Sequence, residues 1–225
     1  MEKWNERCLD DYFCLMQERP DAFIQSPVLP IVTDKQRMIT FMERTQKQLG
    51  VVYKSPFHLM VVDLIAGVNG GGGKDFAYER LLPTVEKGAV VCLVEYNNKI
   101  VLERVFRHAI RKEQLELPRG FGEQNISGPD NVIKECKEEL SATIDANSIK
   151  FLGSVVADSG CLAGSADVYF CKAQNVIEKF GYEGIKSLEF ISWDSISHFI
   201  ANGGISDGFT LAALKLFDAY KEGCK

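Results

Sequence analysis

The sequence predicts an α+β fold, an α/β/α sandwich with a mixed central sheet, preceded by an N-terminal β-subdomain and a helical N-terminal extension. Residues 1–50 show the apolar spacing of helices, whereas the chain from Val51 onward contains short apolar runs typical of strands. Helical segments separate those runs at irregular intervals, which favours a mixed sheet flanked by helices. We therefore divide the chain into an extension (1–50), a β-subdomain (51–86) and a main domain (87–225).

The composition is that of a globular protein, which we expect to be cytoplasmic. The 225 residues are 46% hydrophobic and 25% charged, enough for a well-packed core. No stretch of about 18 apolar residues is present and the N-terminus leads into a charged segment, so we expect neither membrane insertion nor secretion. A net charge of -5 argues against broad nucleic-acid binding. The seven cysteines form no C-x-x-C pair, and we expect most of them to be small buried residues.

Two helices are predicted in the extension, separated by prolines at positions 20, 27 and 30. In the β-subdomain, residues 59–65 and 76–81 are predicted strands, and the glycine-rich segment 67–73 between them is interpreted as a flexible hairpin loop. A phosphate-binding loop would open a helix and continue with Lys and then Ser or Thr, and residues 74–76 (KDF) do neither. The apolar sides of the two helices consist of Cys8, Leu9, Tyr12, Phe13, Leu15 and Met16, and of Met38, Ile39, Phe41 and Met42.

The main domain is predicted to open with a β-hairpin around a tight turn at Asn97 and Asn98. A helix follows, with Ser127 or Gly128 as its cap and Pro129 in its first turn. The predicted strands are 89–94, 100–105, 151–157, 167–173 and 188–193, and the predicted helices are 130–143, one opening at Asp194 and one opening near Asp207.

Three glutamates share one face of the helix predicted at 130–143. At about 100° per residue, Glu135, Glu138 and Glu139 fall on one arc of the helix. Like charges destabilise an isolated helix by about 0.2–0.5 kcal/mol per pair, and a divalent cation held against phosphate would offset that cost. A solvated acidic face with lysine neighbours is the alternative. The adjacent arc, which we expect to face the core, carries Ile133, Cys136 and Leu140.

Residues 120–142 resemble the Nudix box, a loop and helix with the pattern G-x5-E-x7-R-E-U-x-E-E-x-G-U, where U is a bulky aliphatic residue. Gly120 matches the first glycine, and the three helix glutamates have the correct spacing. The chain departs from the pattern at Ile126, Lys134 and Ser141. The first two replace a glutamate–arginine pair that in the family holds the loop against the helix, so their joint change indicates a coordinated change in that link. The third replaces a helix-ending glycine, so we expect the helix to run slightly further.

Matches outside the box extend the resemblance over about residues 58–220 and point to the ADP-ribose pyrophosphatase branch. Residues 104–107 (RVFR) are similar to its R-Q-[YF]-R, with valine in place of glutamine. Residues 115–120 (LELPRG) are similar to its E-L-P-x-G, and residues 204–214 to its G-x-I-x-D-x-x-T-x-x-A-L. The arginines of this region form a local excess of positive charge that suits a polyphosphate, although scattered surface charge is the alternative.

The resemblance implies a role for each matching residue. Glu135 and Glu139 would ligate the metal, Mg²⁺ or alternatively Mn²⁺, and Glu138 would support them in catalysis. The carbonyl oxygen of Arg119 would complete the ligand shell. Glu183 best matches the family's general base and Glu178 is second, and a solvated carboxylate is the alternative for either. The residues expected to contact the substrate are Arg104, Arg107, Arg119 and Gly120.

The function expected from the resemblance is that of a metal-dependent pyrophosphohydrolase. Its substrate would be a small nucleoside diphosphate derivative, with cleavage of ADP-ribose to AMP and ribose 5-phosphate as the best single choice. Residues 51–86 resemble the subdomain through which this branch forms homodimers. The alternative is a catalytically weak or inactive Nudix-fold protein that binds nucleotide sugars and regulates, motivated by the three departures from the box. The extension (1–50) is compatible with a protein-interaction role in either case.

Overall fold

The computed structural model describes residues 7–67, 73–178 and 183–223. Its backbone forms two compact units, Met1–Glu86 with Asp158–Gly164, and Lys87–Ala157 with Ser165–Lys225. Most of the predicted glycine-rich loop lies outside the described residues. Within the described ranges, no helix is long and apolar enough to cross a membrane.

In the described part of the first unit, two α-helices and a 3-10 helix accompany a three-stranded antiparallel sheet of order β1-β2-β3. The two helices expected from apolar periodicity are present, and Asp34 caps the second by accepting a hydrogen bond from the Arg37 backbone N–H. The elements are α1 (Arg7–Glu18), the 3-10 helix (Pro20–Phe23), α2 (Lys35–Thr45), β1 (Gly50–Lys54), β2 (His58–Ile65) and β3 (Phe76–Pro83).

A buried ion pair joins the helical segment of this unit to its sheet. Asp63 on β2 is 1% exposed and accepts hydrogen bonds from the Tyr12 hydroxyl at 2.6 Å and from the Arg80 Nε at 2.5 Å. The Arg80 guanidinium also donates to the Ala22 carbonyl and lies over the Phe23 ring. Each charged group in this network therefore has a partner, which is the condition for burying it without a large penalty.

The described part of the second unit contains a mixed sheet with strand order β10-β5-β4-β9-β8, in which β6 pairs with β5 and β7 with β4. The pairing of β4 with β9 is parallel and the other pairings are antiparallel. The predicted mixed α+β class is thus confirmed. The elements are β4 (Val90–Tyr96), β5 (Lys99–Arg107), β6 (Lys112–Glu116), β7 (Arg119–Gly120), α3 (Gly128–Leu140), β8 (Thr143–Val155), β9 (Ala166–Asn175), β10 (Ile185–Ser192), α4 (Trp193–Ala201) and α5 (Gly208–Gly223).

Both faces of this sheet are covered by helices. Along β4, Val91 and Leu93 belong to the apolar core shared with α5, whereas Val90, Cys92 and Val94 belong to the core shared with α3. This alternation follows from the two-residue period of a strand. It explains why the β4 segment is apolar throughout, because each of its side chains enters one core or the other.

The end of α3 differs from the prediction. The helix stops at Leu140 rather than running past Ser141, and Thr143 already begins β8, well before the predicted strand start at 151. Ser141 adopts a left-handed backbone conformation with φ 46°, the conformation that glycine normally supplies at this point. The expected extension of α3 is therefore wrong, because serine takes the glycine's conformation and terminates the helix at the same place.

Ser141→Gly should stabilise the protein by about 1 kcal/mol, since it removes the strain of a side chain in the left-handed region. The free energy of unfolding in urea measures this. The Ser141 hydroxyl has no hydrogen-bond partner among the described residues, so Ser141→Ala is the matched control. An equal gain in Ser141→Ala would assign the effect to the hydroxyl and contradict the backbone explanation.

Candidate functional site

The start of α3 is fixed by local sequence. Ser127 is the cap, accepting a hydrogen bond from the Asp130 backbone N–H, and proline follows within the first turn, as predicted. Inside the first turn, the buried Asn131 side-chain amide donates to the Gly88 carbonyl at 2.7 Å and to the Phe121 carbonyl at 3.0 Å. These two bonds hold the preceding loop against the helix. They also fix which face of α3 turns toward the sheet.

That face carries two buried carboxylates. Glu135 is 8% exposed and Glu139 is 5% exposed, which excludes a solvated acidic face for this pair. Glu135 lies directly against Gly120, where an added Cβ atom would stand 2.0 Å from the carboxylate carbon. A larger residue at position 120 would therefore displace the Glu135 carboxylate. Glu139 accepts a hydrogen bond of 3.2 Å from the Arg119 backbone N–H.

A third carboxylate, Glu116, is fully buried at the end of β6 and binds the two arginines of the site. Arg107 donates to one of its oxygens, and Gln114 donates to the other at 2.8 Å. The Arg119 guanidinium lies 3.5 Å from Glu116 and 3.6 Å from Asp207, and it covers the Phe209 ring. Glu116 thus orients the guanidinium groups of Arg107 and Arg119, two of the three arginines that the sequence assigned to substrate binding.

A fourth carboxylate, Glu103 on β5, was not predicted as a site residue. It is the cross-strand neighbour of Glu116, is 1% exposed, and its Oε1 has no hydrogen-bond partner among the described residues. Neither Glu103 nor Glu116 was assigned to the site from the sequence. A signal was available for Glu103, since a charged residue in the middle of the apolar run 100–105 is unusual in a buried strand.

Burial and mutual repulsion shift the protonation of these groups. Burial raises the pKa of Glu139 to about 8, and the charge of Glu135 contributes in the same direction. The pKa of Glu135 is also raised by burial, although Lys134 opposes the shift. Burial raises the pKa of Glu103 well above its ordinary value, followed by the charges of Glu139 and Glu116. Without a cation, these shifts favour the protonated, uncharged forms of these carboxyl groups.

Lys134 links the loop that precedes α3 to the helix itself. Its Nζ lies 2.9 Å from Glu123 in the loop, 3.0 Å from Glu138 and 3.4 Å from Glu135. Lys134 and Glu123 therefore form an ion pair between the loop and the helix, in a chain that has isoleucine at position 126.

The other predicted residues differ in their contacts with the cluster. Glu138 is partly exposed and pairs with Lys134. Glu183 is exposed in the turn before β10, and its charge contributes to the raised pKa of Glu139, which places the two carboxylates near each other. Glu178 is exposed at the edge of the described loop. Arg104 pairs instead with Glu189 of β10 at 3.0 Å.

The donor chemistry of the cluster fits a divalent cation. Carboxylate oxygens are the hard ligands that Mg²⁺ and Mn²⁺ prefer, and the buried Glu103 Oε1 has no hydrogen-bond partner among the described residues. In their present positions, no three Asp, Glu, His or Cys side chains of the described residues converge into a complete ligand set. The fit therefore rests on the type and burial of the donors rather than on a preformed shell.

The comparisons with known proteins support the fold. A solved structure described as "Crystal structure of ADP compounds hydrolase" is similar with a TM-score of 0.63 and 15% sequence identity, over 77% of this chain and 91% of that chain. At this identity the likeness concerns the fold alone, and it agrees with the α+β architecture expected from the sequence. No protein-family model and no curated protein matches the chain.

In the metal-free protein, stability should fall as pH rises. The folded state holds a proton on Glu139 up to about pH 8, whereas the unfolded chain releases it near 4.5, so unfolding becomes easier between these values. Glu139→Gln should therefore be more stable than the natural protein above pH 8, by on the order of 1–3 kcal/mol, with little difference near pH 4.5.

Urea unfolding with a chelator present, repeated across this pH range, measures the difference. Glu178→Gln is the matched control, because that exposed carboxylate should change stability by less than about 0.5 kcal/mol. A difference between the natural protein and Glu139→Gln that stays constant with pH would contradict the shifted pKa.

Proposed function

We propose that this chain is a metal-dependent pyrophosphohydrolase of the Nudix type that cleaves a nucleoside diphosphate linked to a second group. The observation that carries the proposal is the burial of Glu135 and Glu139 beside two oriented arginines, on a fold shared with a hydrolase of ADP compounds. Buried carboxylates next to guanidinium groups bring cation ligands and phosphate ligands together. We propose the same class of substrate for this chain, with ADP-ribose as the first candidate.

The metal would be held by Glu135 and Glu139, with Glu138 in support and the Arg119 carbonyl as a further ligand. Mg²⁺ is the proposed ion and Mn²⁺ the alternative. A bound divalent cation supplies positive charge against the phosphate oxygens. Gly120 contributes by leaving room for the Glu135 carboxylate.

Arg107 is the residue best suited to the diphosphate. Its Nε is buried and has no hydrogen-bond partner among the described residues, although its Nη2 donates to Glu116. A guanidinium anchored at one end with a free N–H at the other is oriented to donate to an anionic oxygen. Arg119 is similarly anchored by Glu116 and Asp207. Arg104 would need to exchange part of its contact with Glu189 to reach the substrate.

Glu183 is the proposed general base. Attack of water on phosphorus breaks one P–O bond of the pyrophosphate, and the carboxylate accepts the proton that the water loses. With ADP-ribose the two products are AMP and ribose 5-phosphate. The position of Glu183 near Glu139 supports this role, and Glu178 is the alternative base.

We further propose that the sheet of residues 51–86 mediates homodimer formation and that the protein works in the cytoplasm on a small molecule. Neither nucleic acid nor membrane is a proposed partner. Sedimentation analysis of the full chain, compared with a variant carrying Tyr53→Asp on the exposed face of β1, would test the dimer.

Glu139→Gln should lower kcat/KM for Mg²⁺-dependent hydrolysis of ADP-ribose by more than about 100-fold while leaving the far-ultraviolet circular dichroism unchanged. The measurement covers a panel of ADP-ribose, nucleotide sugars and dinucleotides with the purified natural protein and the variant. Glu113→Gln is the control, because this exposed glutamate pairs with Lys186 outside the cluster. Tight binding of ADP-ribose without metal-dependent turnover of any panel member would favour the inactive binding protein instead.

Glu183→Gln should lower kcat by at least about 100-fold and leave KM little changed, because a general base acts on the chemical step. Glu178→Gln is the matched variant from the same loop and should retain the natural rate. A low kcat in Glu178→Gln together with an unchanged kcat in Glu183→Gln would assign the general base to Glu178 instead.

A further inference from the structure

Glu103 occupies a position where a buried strand would normally carry an apolar residue. Its neighbours on the same face of β5, Val101 and Val105, belong to the core beneath α3. At 1% exposure Glu103 has almost no contact with solvent. A valine or isoleucine would fill this position at no electrostatic cost, so the carboxylate needs a physical explanation.

The arginines of the site do not supply that explanation. Arg107 and Arg119 both direct guanidinium N–H groups to Glu116, and Arg119 also contacts Asp207. The Glu103 Oε1 has no partner among the described residues. The charged groups that act on Glu103 most strongly are the carboxylates of Glu139 and Glu116, with Arg107 opposing them.

Burying a carboxylate without a partner costs several kcal/mol even after the protein relaxes. A bound cation or a bound proton can offset this cost. Protonation would neutralise Glu139 and Glu103 one at a time, whereas one divalent cation between them would neutralise both carboxylates together. The hard oxygen donors, the absence of nitrogen or sulfur ligands among them, and their burial all suit such a cation.

We propose that Glu103 is a further ligand of a divalent cation, which it shares with Glu139 on the sheet side of α3. This rests on the proposed function in one respect, namely that Glu139 binds metal. It adds a carboxylate from the sheet to the two from the helix. The cation would then be held from both layers of the sandwich, and its binding would tie α3 to β5.

The test uses the metal-stripped full chain titrated with MnCl₂ in a calorimeter at neutral pH. Glu103→Gln keeps the size of the side chain and removes its ability to ligate as an anion. We expect it to lose one equivalent of bound Mn²⁺ or to bind at least about 10-fold more weakly. The rise in Tm that Mn²⁺ produces should shrink in parallel. Glu113→Gln, which removes one exposed carboxylate from neighbouring β6, should titrate like the natural protein.

Two outcomes and a second variant separate the hypotheses. If the natural protein binds Mn²⁺ and Glu103→Gln binds it equally well, Glu103 is a protonated acid that glutamine replaces, and this proposal is overturned alone. If the natural protein binds no Mn²⁺, the metal-dependent function falls with it. Glu103→Asp provides a second variant that keeps the charge, and it should recover part of the lost affinity if the carboxylate is a ligand.

Discussion

The burial of carboxyl groups between α3 and the sheet is the constraint on which the arrangement of the second unit depends. Four carboxylates, from Glu103, Glu116, Glu135 and Glu139, are almost completely removed from solvent. Two arginines pair with Glu116, whereas the Glu103 Oε1 has no hydrogen-bond partner among the described residues. Such an arrangement lowers the stability of the fold by itself, since unpaired buried charge is among the costliest features a protein can contain. A cation bound between these carboxyl groups would offset that cost.

Several local features exist to keep these carboxylates in place. The Asn131 amide and the ion pair between Lys134 and Glu123 hold the preceding loop on the helix, and Gly120 allows that loop to touch Glu135. At the other end, Ser141 accepts an unfavourable backbone conformation so that α3 stops where β8 must begin. The position of α3 is thus determined at both of its ends. This also determines where the face that carries Glu135 and Glu139 lies.

The sequence predicted those parts of the site that are determined locally. The cap at Ser127, the buried side of α3 and the turn at Asn97 follow from short-range chemistry and periodicity, and all are present. The short strands β6 and β7 were not predicted, because their pairing depends on contacts made across the sheet. The pairing of Glu103 with Glu116 was missed for the same reason. These two residues meet because of the register between β5 and β6. The periodicity of a single sequence does not determine which residues of two strands are paired.

The three departures from the Nudix box bear on whether the site has decayed. Lys134 pairs with Glu123 although position 126 holds isoleucine, and Ser141 ends α3 in the left-handed conformation that glycine normally supplies. A chain without a cation site would have no need of the buried carboxyl group of Glu103, which valine would replace without electrostatic cost. The chain instead retains both the supporting contacts and the costly charge. These contacts support the proposed cation site over the alternative of a nucleotide-sugar-binding protein without hydrolase activity.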